Sequence, residues 1–195
     1  MCAALAALLL CSLTACGKTE EPARQDIFAM DTYMSLVAYG EDGQEALAAA
    51  AREINRLEQE LSRTVSTSYI YKLNENGSAA VSEETANLLK AAMDYSAATG
   101  GLFDMTVAPL VSLWGITTDS PRVPSRSEID ALLPLVGSDR VHLDGQTVTL
   151  DAGCAVDLGG IAKGYASDRV AQGPPFLWVA MSMSAAKSPT AQPGA

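Results

Sequence analysis

Residues 155–168 read A-V-D-L-G-G-I-A-K-G-Y-A-S-D, and they say more about architecture and function than any other part of the chain. A short run of β-forming residues, 147–150 (T-V-T-L), precedes them. The apolar spacing of Ile161, Tyr165 and Val170 then favours a helix. The sequence therefore predicts a strand and a helix that are joined by a glycine-rich turn.

The turn offers groups that suit a phosphate ligand. Gly159 and Gly160 let the backbone approach a ligand closely, and the free N–H groups of a helix start attract anions. Asp157 and Asp168 supply hard oxygen atoms, and Lys163 supplies a positive charge. The lysine precedes the next glycine, so the stretch is not a Walker A loop. Taken alone, these residues also fit a tight strand-to-helix turn with surface charges.

Two further motifs accompany this stretch. Residues 29–36 read A-M-D-T-Y-M-S-L, and residues 100–115 read G-G-L-F-D-M-T-V-A-P-L-V-S-L-W-G. In this order the three motifs resemble those of the FAD:protein FMN transferases, often called the ApbE family of flavin transferases. The resemblance covers residues 27–172, which we interpret as the N-terminal portion of a flavin transferase domain.

The resemblance implies an α+β fold with a T-fold-like core, in which a mostly antiparallel sheet packs against helices. The family core has two similar halves, and the second is largely truncated here. The resemblance also implies that FAD is the substrate and that these residues contact it: Met30, Leu102, Phe103, Asp104 and Asp157. The backbone carbonyl of Gly160 matches a family ligand of Mg²⁺. Thr64 stands where the family carries a flavin-stacking tyrosine, so that role is not transferred.

The implied reaction cleaves the FAD pyrophosphate, joins FMN to a threonine hydroxyl of an acceptor protein and releases AMP. The implied acceptor is a subunit of a redox pump, and Mg²⁺ neutralises phosphate charge in such transfers. The family completes its site with an aspartate, a threonine and a histidine in an H-x-x-x-P segment, which have no counterpart after Asp168. We therefore expect this chain to be inactive. The alternative is a non-catalytic, membrane-anchored binder of flavins or nucleotides.

Composition narrows the class of protein. The chain has 195 residues, of which 48% are hydrophobic, enough to build the core of one domain. Its net charge of −10 argues against a nucleic-acid partner, because phosphate contacts need clustered lysine and arginine. Cys154 is predicted to be a small buried hydrophobe, since the other cysteines lie in the N-terminal run. The single histidine, His142, is predicted to be structural.

The N-terminal residues predict a lipoprotein. Residues 1–15 are apolar but shorter than the roughly 20 residues that span a bilayer, so we interpret them as a signal peptide. Residues 13–16 (L-T-A-C) resemble a bacterial lipobox, with cleavage before Cys16 and lipid on its thiol. This predicts a lipid-anchored protein of the bacterial membrane that faces the periplasm or the cell exterior. The alternative is an ordinary secretory signal, which leaves no anchor.

Two details accompany this prediction. No lysine or arginine precedes Cys16, although a signal peptide normally begins with one, so we expect the true start codon upstream of Met1. Residues 16–26 are charged and contain proline, and they predict a flexible tether.

Hydrophobic periodicity and turn signals predict the remaining elements. They are a strand within residues 27–39, a helix over 45–61, a serine-rich loop over 62–74, a helix over 82–99 capped by Ser82, an apolar strand over 102–107, a short helix with a capping box of Ser125 and Glu128, and a hairpin of 140–143 with 147–150. Trp114 is predicted to lie in the core.

The last residues depart from this pattern. Residues 173–195 have neither helical nor strand periodicity. When synonymous codons are chosen for residues 175–195 and two nucleotides are dropped, these residues read L-S-L-G-G-N-V-Y-V-C-G-K-K-P-D-G-T-A-W-R, which resembles the family's own continuation. We therefore predict a frameshift after Gln172 and an unselected tail over residues 173–195.

Overall fold

The computed structural model describes residues 21–116 and 118–172, together with the backbone of residues 179–185. The predicted signal peptide, Cys16 with the first part of the tether, and most of the predicted tail lie outside these residues. Among the helices described, none is both long and apolar enough to cross a membrane.

The described chain combines helices with antiparallel strands. The helices are α1 (Gly43–Leu61), α2 (Tyr69–Asn76), α3 (Glu83–Ala98), α4 (Ala108–Trp114), α5 (Arg126–Leu132) and α6 (Ala162–Ala171). The strands are β1 (Ala23–Ala29), β2 (Thr32–Ala38), β3 (Ser78–Ala80), β4 (Val141–Asp144), β5 (Thr147–Leu150) and β6 (Val179–Ala185). They form two sheets, with strand orders β1-β2-β6 and β3-β5-β4. The named strands pair antiparallel, so the predicted α+β class is confirmed.

The motif at residues 29–36 forms the tip of a β-hairpin. β1 and β2 pair antiparallel along their full length. Met30 and Asp31 connect them with φ angles of 51° and 55°, the signs that a type I′ turn requires. β2 confirms the strand predicted within residues 27–39, with Met34, Leu36 and Ala38 on its buried face. The prediction missed the turn at Met30 and the separate strand β1, because no glycine marks this turn in the sequence.

The predicted tether is also too long, since β1 begins at Ala23 and includes the last residues of the segment 16–26. One face of β1 exposes Arg24, Asp26 and Phe28, while its other face is half-buried. The charged residues of the exposed face are what made this strand resemble a linker.

Helix α1 lies between the two parts of the hydrophobic core and confirms the helix predicted over residues 45–61. Its predicted apolar stripe is buried: Leu47, Ala50, Ile54, Leu57 and Leu61. The first part of the stripe packs with the inner face of β2. Its C-terminal end enters a larger cluster that α3, β5 and residues 154–166 complete. The end of α1 is therefore fixed by packing before any ligand is considered.

The serine-rich segment 62–74, predicted as a loop, is helical from Tyr69 onward. Ser68 caps this short helix by accepting a hydrogen bond from the Tyr71 amide, and its hydroxyl donates to the Ser62 carbonyl. Ile70 and Leu73 are buried. Two buried apolar residues are too few to produce a recognisable helical period, so the prediction failed here.

Helix α3 confirms the helix predicted over residues 82–99 together with its cap. The Ser82 hydroxyl accepts from the Thr85 amide at 3.1 Å. The helix ends where Gly100 and Gly101 adopt φ of 63° and 82°, a conformation that glycine adopts without strain.

The predicted apolar strand over residues 102–107 is absent from the described chain, which runs there as turns. The cause is Asp104, whose Oδ1 accepts from the amide and the hydroxyl of Thr106 at 2.7 and 2.6 Å. Such a local side-chain bond competes with a strand ladder. Val107 makes one isolated parallel bridge to Ala155. Trp114, predicted to be core, is 36% exposed at the end of α4.

The last predicted elements are confirmed with small shifts. Ser125 and Glu128 form the capping box of α5. β4 and β5 form the predicted hairpin, with β4 over Val141–Asp144 rather than residues 140–143. Gly145, with φ of 57°, provides the turn.

The prediction that the tail lacks regular structure is wrong for residues 179–185. These residues form β6, which pairs antiparallel with β2 at the edge opposite β1. The alternation V-A-M-S-M-S-A does follow a strand period once it is separated from its flanks. The frameshift itself stays a prediction.

Two serine caps should differ in their effect on stability. Ser82 also donates to Glu60 Oε2 at 3.0 Å, which ties α3 to α1, whereas α5 has no buried residue beneath the Ser125 cap. We expect Ser82→Ala to lower the free energy of unfolding by about 1–2 kcal/mol. Ser125→Ala should change it by less than about 0.5 kcal/mol, because α5 can open locally. Urea denaturation measures both, and equal losses would contradict this assignment.

Candidate functional site

A cleft of about 540 Å³ opens between the end of α1, the turn segment after α3 and the start of α6. Six predicted site residues line it together: Met30, Leu102, Phe103, Asp104, Asp157 and Gly160. They come from three motifs that lie far apart in the sequence. A volume of this size is within the usual range for a small-molecule site.

The hairpin turn places Met30 at the wall of the cleft. Its amide donates to Glu58 Oε1 of α1 at 2.8 Å, and its carbonyl accepts from the Thr32 hydroxyl at 3.2 Å. The positive φ angle of this residue costs free energy that the surrounding contacts must offset. The backbone of Met30 is therefore fixed against α1, and the thioether is a polarisable apolar surface at the cleft wall.

Asp157 is held from three directions. Its amide donates to the Met105 carbonyl at 2.8 Å, and its Oδ1 accepts from the Gly159 amide at 2.8 Å. Its Oδ2 forms an ion pair with Nε of Arg63 at 2.8 Å, with both side chains mostly buried. Both carboxylate oxygens therefore have partners in the protein, and the carboxylate is pre-oriented in the cleft wall.

Arg63 is the site residue that sequence reasoning missed. It follows α1 directly, lines the cleft, and its Nη1 lies 3.5 Å from the hydroxyl of Ser112 in α4. The available sequence signal was its place in the segment L-S-R, directly before the position at which the family carries a tyrosine. Thr64, which stands at that position, also lines the cleft.

Asp104 lines the cleft, but its carboxylate mainly organises the chain around it. Besides Thr106, it accepts from the amide and hydroxyl of Ser138 at 3.0 and 3.2 Å, and from Ser96 at 3.4 Å. These bonds link the turn segment to the short 3-10 helix Ser138–Arg140 before β4 and to the end of α3. Asp104 therefore fixes the conformation of the turn segment that carries Phe103.

Leu102 and Phe103 give the cleft an apolar side. Leu102 is 93% exposed at the rim, and Phe103 is half-buried. A Cβ atom on Gly160 would lie 3.1 Å from Cε2 of Phe103, so the glycine allows the ring to approach the backbone. On the far side of the ring lies a second hollow of about 440 Å³ between α3 and α6, which Asp168 lines.

The positive groups of the cleft cluster at the start of α6. Lys163, a half-buried residue, donates from Nζ to the Gly159 carbonyl at 3.4 Å. Ile161 precedes the helix without a side-chain cap, and the first amide of the helix, that of Ala162, already donates to the Leu158 carbonyl. The helix dipole and the ammonium group together suit an anion such as a phosphate.

The same residues do not make a metal site by themselves. The Gly160 carbonyl, predicted as a Mg²⁺ ligand, lies in the cleft wall. Within the described residues, however, there is no group of three or more His, Cys, Asp or Glu side chains that could hold a metal ion. Mg²⁺ needs near-octahedral oxygen ligands, and one carbonyl with waters is a weak site.

The residues predicted to be structural stay outside the cleft. His142 Nε2 contacts Asp151 Oδ1 at 2.8 Å on the exposed face of β4. Cys154 is buried, and burial raises the pKa of its thiol. A thiol with a raised pKa is a poor nucleophile, so the prediction of a small buried hydrophobe is confirmed.

Comparison with known proteins identifies the group to which this arrangement is related. A sequence model of the ApbE family matches residues 30–173. The chain belongs to the ApbE family. The match begins at Met30, the hairpin residue that lines the cleft, and includes the whole of α6. Family membership thus covers the three motifs that form the cleft.

Relatives of known name agree with this result. The FAD:protein FMN transferase of Vibrio cholerae serotype O1 is 33% identical over 178 residues, which cover 86% of this chain and 53% of the relative. The enzyme of the same name from Klebsiella pneumoniae is 32% identical over 148 residues, 72% of this chain and 46% of the relative. The chain spans about half the length of the curated relatives it matches.

Solved structures support the fold. The ApbE protein from Thermotoga maritima superposes with a TM-score of 0.74 at 36% identity, over 78% of this chain and 52% of that one. The flavin transferase ApbE from Vibrio cholerae superposes with a TM-score of 0.68 at 26% identity, over 77% and 52%. The predicted fold of the flavin transferases is therefore confirmed for the described part of the chain.

Two glycines of the same stretch allow a matched test of the contact with Phe103. Gly160→Ala should lower the free energy of unfolding by about 1–3 kcal/mol, because the new methyl group presses on the ring. Gly164→Ala should raise it by up to about 1 kcal/mol, since that position is helical and has open space. Thermal unfolding followed by circular dichroism measures both. Stabilisation by Gly160→Ala would contradict the close contact.

Proposed function

We propose that the cleft binds FAD, and that the protein serves the Mg²⁺-dependent transfer of FMN from FAD to a threonine hydroxyl of an acceptor protein. The observation that supports this most strongly is the convergence of six residues from three separate motifs on one cleft. The sequence predicts these same residues as contacts of FAD and of the metal. The names of the relatives, which are FAD:protein FMN transferases, support the same reaction.

The chemistry of the wall fits a flavin nucleotide. Met30, Leu102 and Phe103 offer apolar and aromatic surface for a planar ring. The start of α6 offers the positive end of the helix dipole, and Lys163 offers a positive charge, for a pyrophosphate. Asp157 carries an acceptor carboxylate, oriented by Arg63, for the hydroxyl or N–H groups of the ligand.

In the proposed reaction the threonine oxygen forms a bond to the phosphorus of the FMN moiety, and the bond from that phosphorus to the AMP oxygen breaks. The hydroxyl proton passes to solvent water, and AMP takes the electron pair of the broken bond. Bound Mg²⁺ would neutralise charge on the phosphate oxygens. The Gly160 carbonyl is the ligand that the described residues would offer to the metal. Lys163 and the helix dipole at the start of α6 would hold the pyrophosphate in place.

The acceptor is proposed to be a subunit of a redox pump that carries the flavinylated threonine. The second candidate function is a non-catalytic binder of flavins or nucleotides. Two observations support it. The described residues form a cleft of suitable size, but they include no group of three or more His, Cys, Asp or Glu side chains that could hold a metal ion.

One experiment separates these functions. The 195-residue chain is titrated into FAD while flavin fluorescence is followed, and then incubated with FAD, Mg²⁺ and a threonine acceptor peptide. We expect saturable binding in either case. The absence of covalent flavin on the peptide would favour the non-catalytic binder, because a single carbonyl leaves Mg²⁺ weakly held. Covalent flavin on the peptide would make the chain an active transferase. Failure to bind FAD would overturn the proposed function.

Two carboxylates of the same stretch provide the matched variants for this titration. Asp157→Asn should weaken FAD binding about tenfold, because it removes a charged acceptor from the cleft. Asp168→Asn should change the affinity by less than about twofold, since Asp168 lines the neighbouring hollow. Equal effects of the two changes would show that binding does not depend on the cleft.

We also propose that the protein is a lipoprotein of the bacterial membrane, anchored through Cys16 and facing the periplasm or the cell exterior. The support is the L-T-A-C sequence at residues 13–16 followed by a polar segment. Expressed in a bacterium with its full N-terminus, the protein should incorporate radioactive palmitate, and Cys16→Ser should abolish the label. Label that survives the substitution would eliminate the anchor.

A further inference from the structure

Tyr165, the tyrosine of the K-G-Y-A sequence, has no place in the cleft described above. It lies on the side of α6 that meets α3, where its ring lines the second hollow. Its hydroxyl donates to Glu84 Oε1 in the first turn of α3 at 2.6 Å, a short distance typical of a bond to a carboxylate. This contact joins two residues that are 81 positions apart.

Besides the ion pairs of Arg169 near its end, helix α6 has few large side chains that set its position along its own axis. Its fully buried side chains are Ala162 and Ala166, which are small, and Ile161 before it provides no side-chain cap. Alanine methyl groups contribute little apolar area, and they allow a helix to slide more easily than large interlocking side chains do. The start of this helix nevertheless carries Lys163 and adjoins Gly160, both in the cleft wall.

The acceptor of the tyrosine belongs to an ionic network that connects three helices. Glu84 also pairs with Arg169 of α6 at 3.1 Å and with Arg56 of α1 at 2.8 Å. Arg56 in turn pairs with Glu53 and Glu60 of α1 at 2.8 and 2.7 Å. Glu84 is therefore fixed by two arginines, so a side chain bonded to it is held relative to α1 as well as α3.

The phenol is a proton donor throughout the physiological pH range. Burial, together with the bond to Glu84 and the charge of that carboxylate, raises the pKa of Tyr165 to about 12. The hydroxyl therefore stays protonated beside the carboxylate, and the contact persists under ordinary conditions.

We propose that Tyr165 is a positioning residue that acts through Glu84 to hold the first turn of α6, and with it Gly160 and Lys163, against the cleft. The consequence for ligand binding rests on the proposed function, whereas the effect on the first turn of α6 does not. The hydroxyl itself touches no ligand in this assignment.

The first test needs no ligand. The amides of Ile161 and Ala162 both donate to the Leu158 carbonyl, at 2.9 and 2.8 Å, and report on the start of α6. In Tyr165→Phe their hydrogen exchange should become about tenfold faster, as expected for the loss of one bond to a charged group. Tyr95→Phe is the control, because Tyr95 lines the same hollow and is 58% exposed. Unchanged exchange in Tyr165→Phe, or the same change in Tyr95→Phe, overturns the proposal.

The second test measures FAD affinity in a double-mutant cycle. Tyr165→Phe should weaken binding about tenfold, and in a Lys163→Ala background the same change should have much less effect, because the lysine it positions is gone. Additive losses would show that the tyrosine acts only on general stability and would overturn the positioning role. If Tyr165→Phe does not fold, Glu84→Gln tests the same contact from its other side by both measurements.

The two proposals fail separately. A wild-type chain that does not bind FAD overturns the proposed function, while the exchange of the Ile161 and Ala162 amides still decides the role of Tyr165. A chain that binds FAD but shows unaltered exchange in Tyr165→Phe overturns only the positioning role.

Discussion

The carboxylate of Asp157 is the point at which the separate segments of the cleft meet. One oxygen accepts from the amide that begins the glycine turn, and the other pairs with the arginine that follows α1. A mostly buried carboxylate without such partners would be costly, so the turn and the arginine must be in place together. The distance between the end of α1 and the start of α6 follows from this pair of contacts. The cleft is the space that remains between them.

The parts of this structure that sequence could predict are those with a local physical signal. Helices α1 and α3 have long apolar stripes, and α3 has a serine cap, so both were predicted nearly to the residue. The hairpin of β4 and β5 has a glycine turn. Where the signal is short or disguised, prediction failed: α2 buries two apolar side chains, and the turn at Met30 contains no glycine.

The candidate site likewise contains residues that the sequence identified and one that it did not. Its six residues were identified because they lie in long motifs that resemble those of a known family. Hydrophobic periodicity alone would have assigned Met30 and Phe103 to the core. Arg63 was missed because its importance arises from a partner 94 positions later, Asp157, and no local pattern records such a pairing. Asp104 was found for a role in ligand contact, yet four of its hydrogen bonds go to Thr106 and Ser138.

Phe103 and Gly160 line both the cleft and the second hollow, so this ring and the backbone beside it form the boundary between the two spaces. The close approach of the ring to Gly160 therefore determines how far a ligand in the cleft could extend toward α3. A smaller side chain at position 103 would remove part of this boundary and would lengthen the space open to such a ligand.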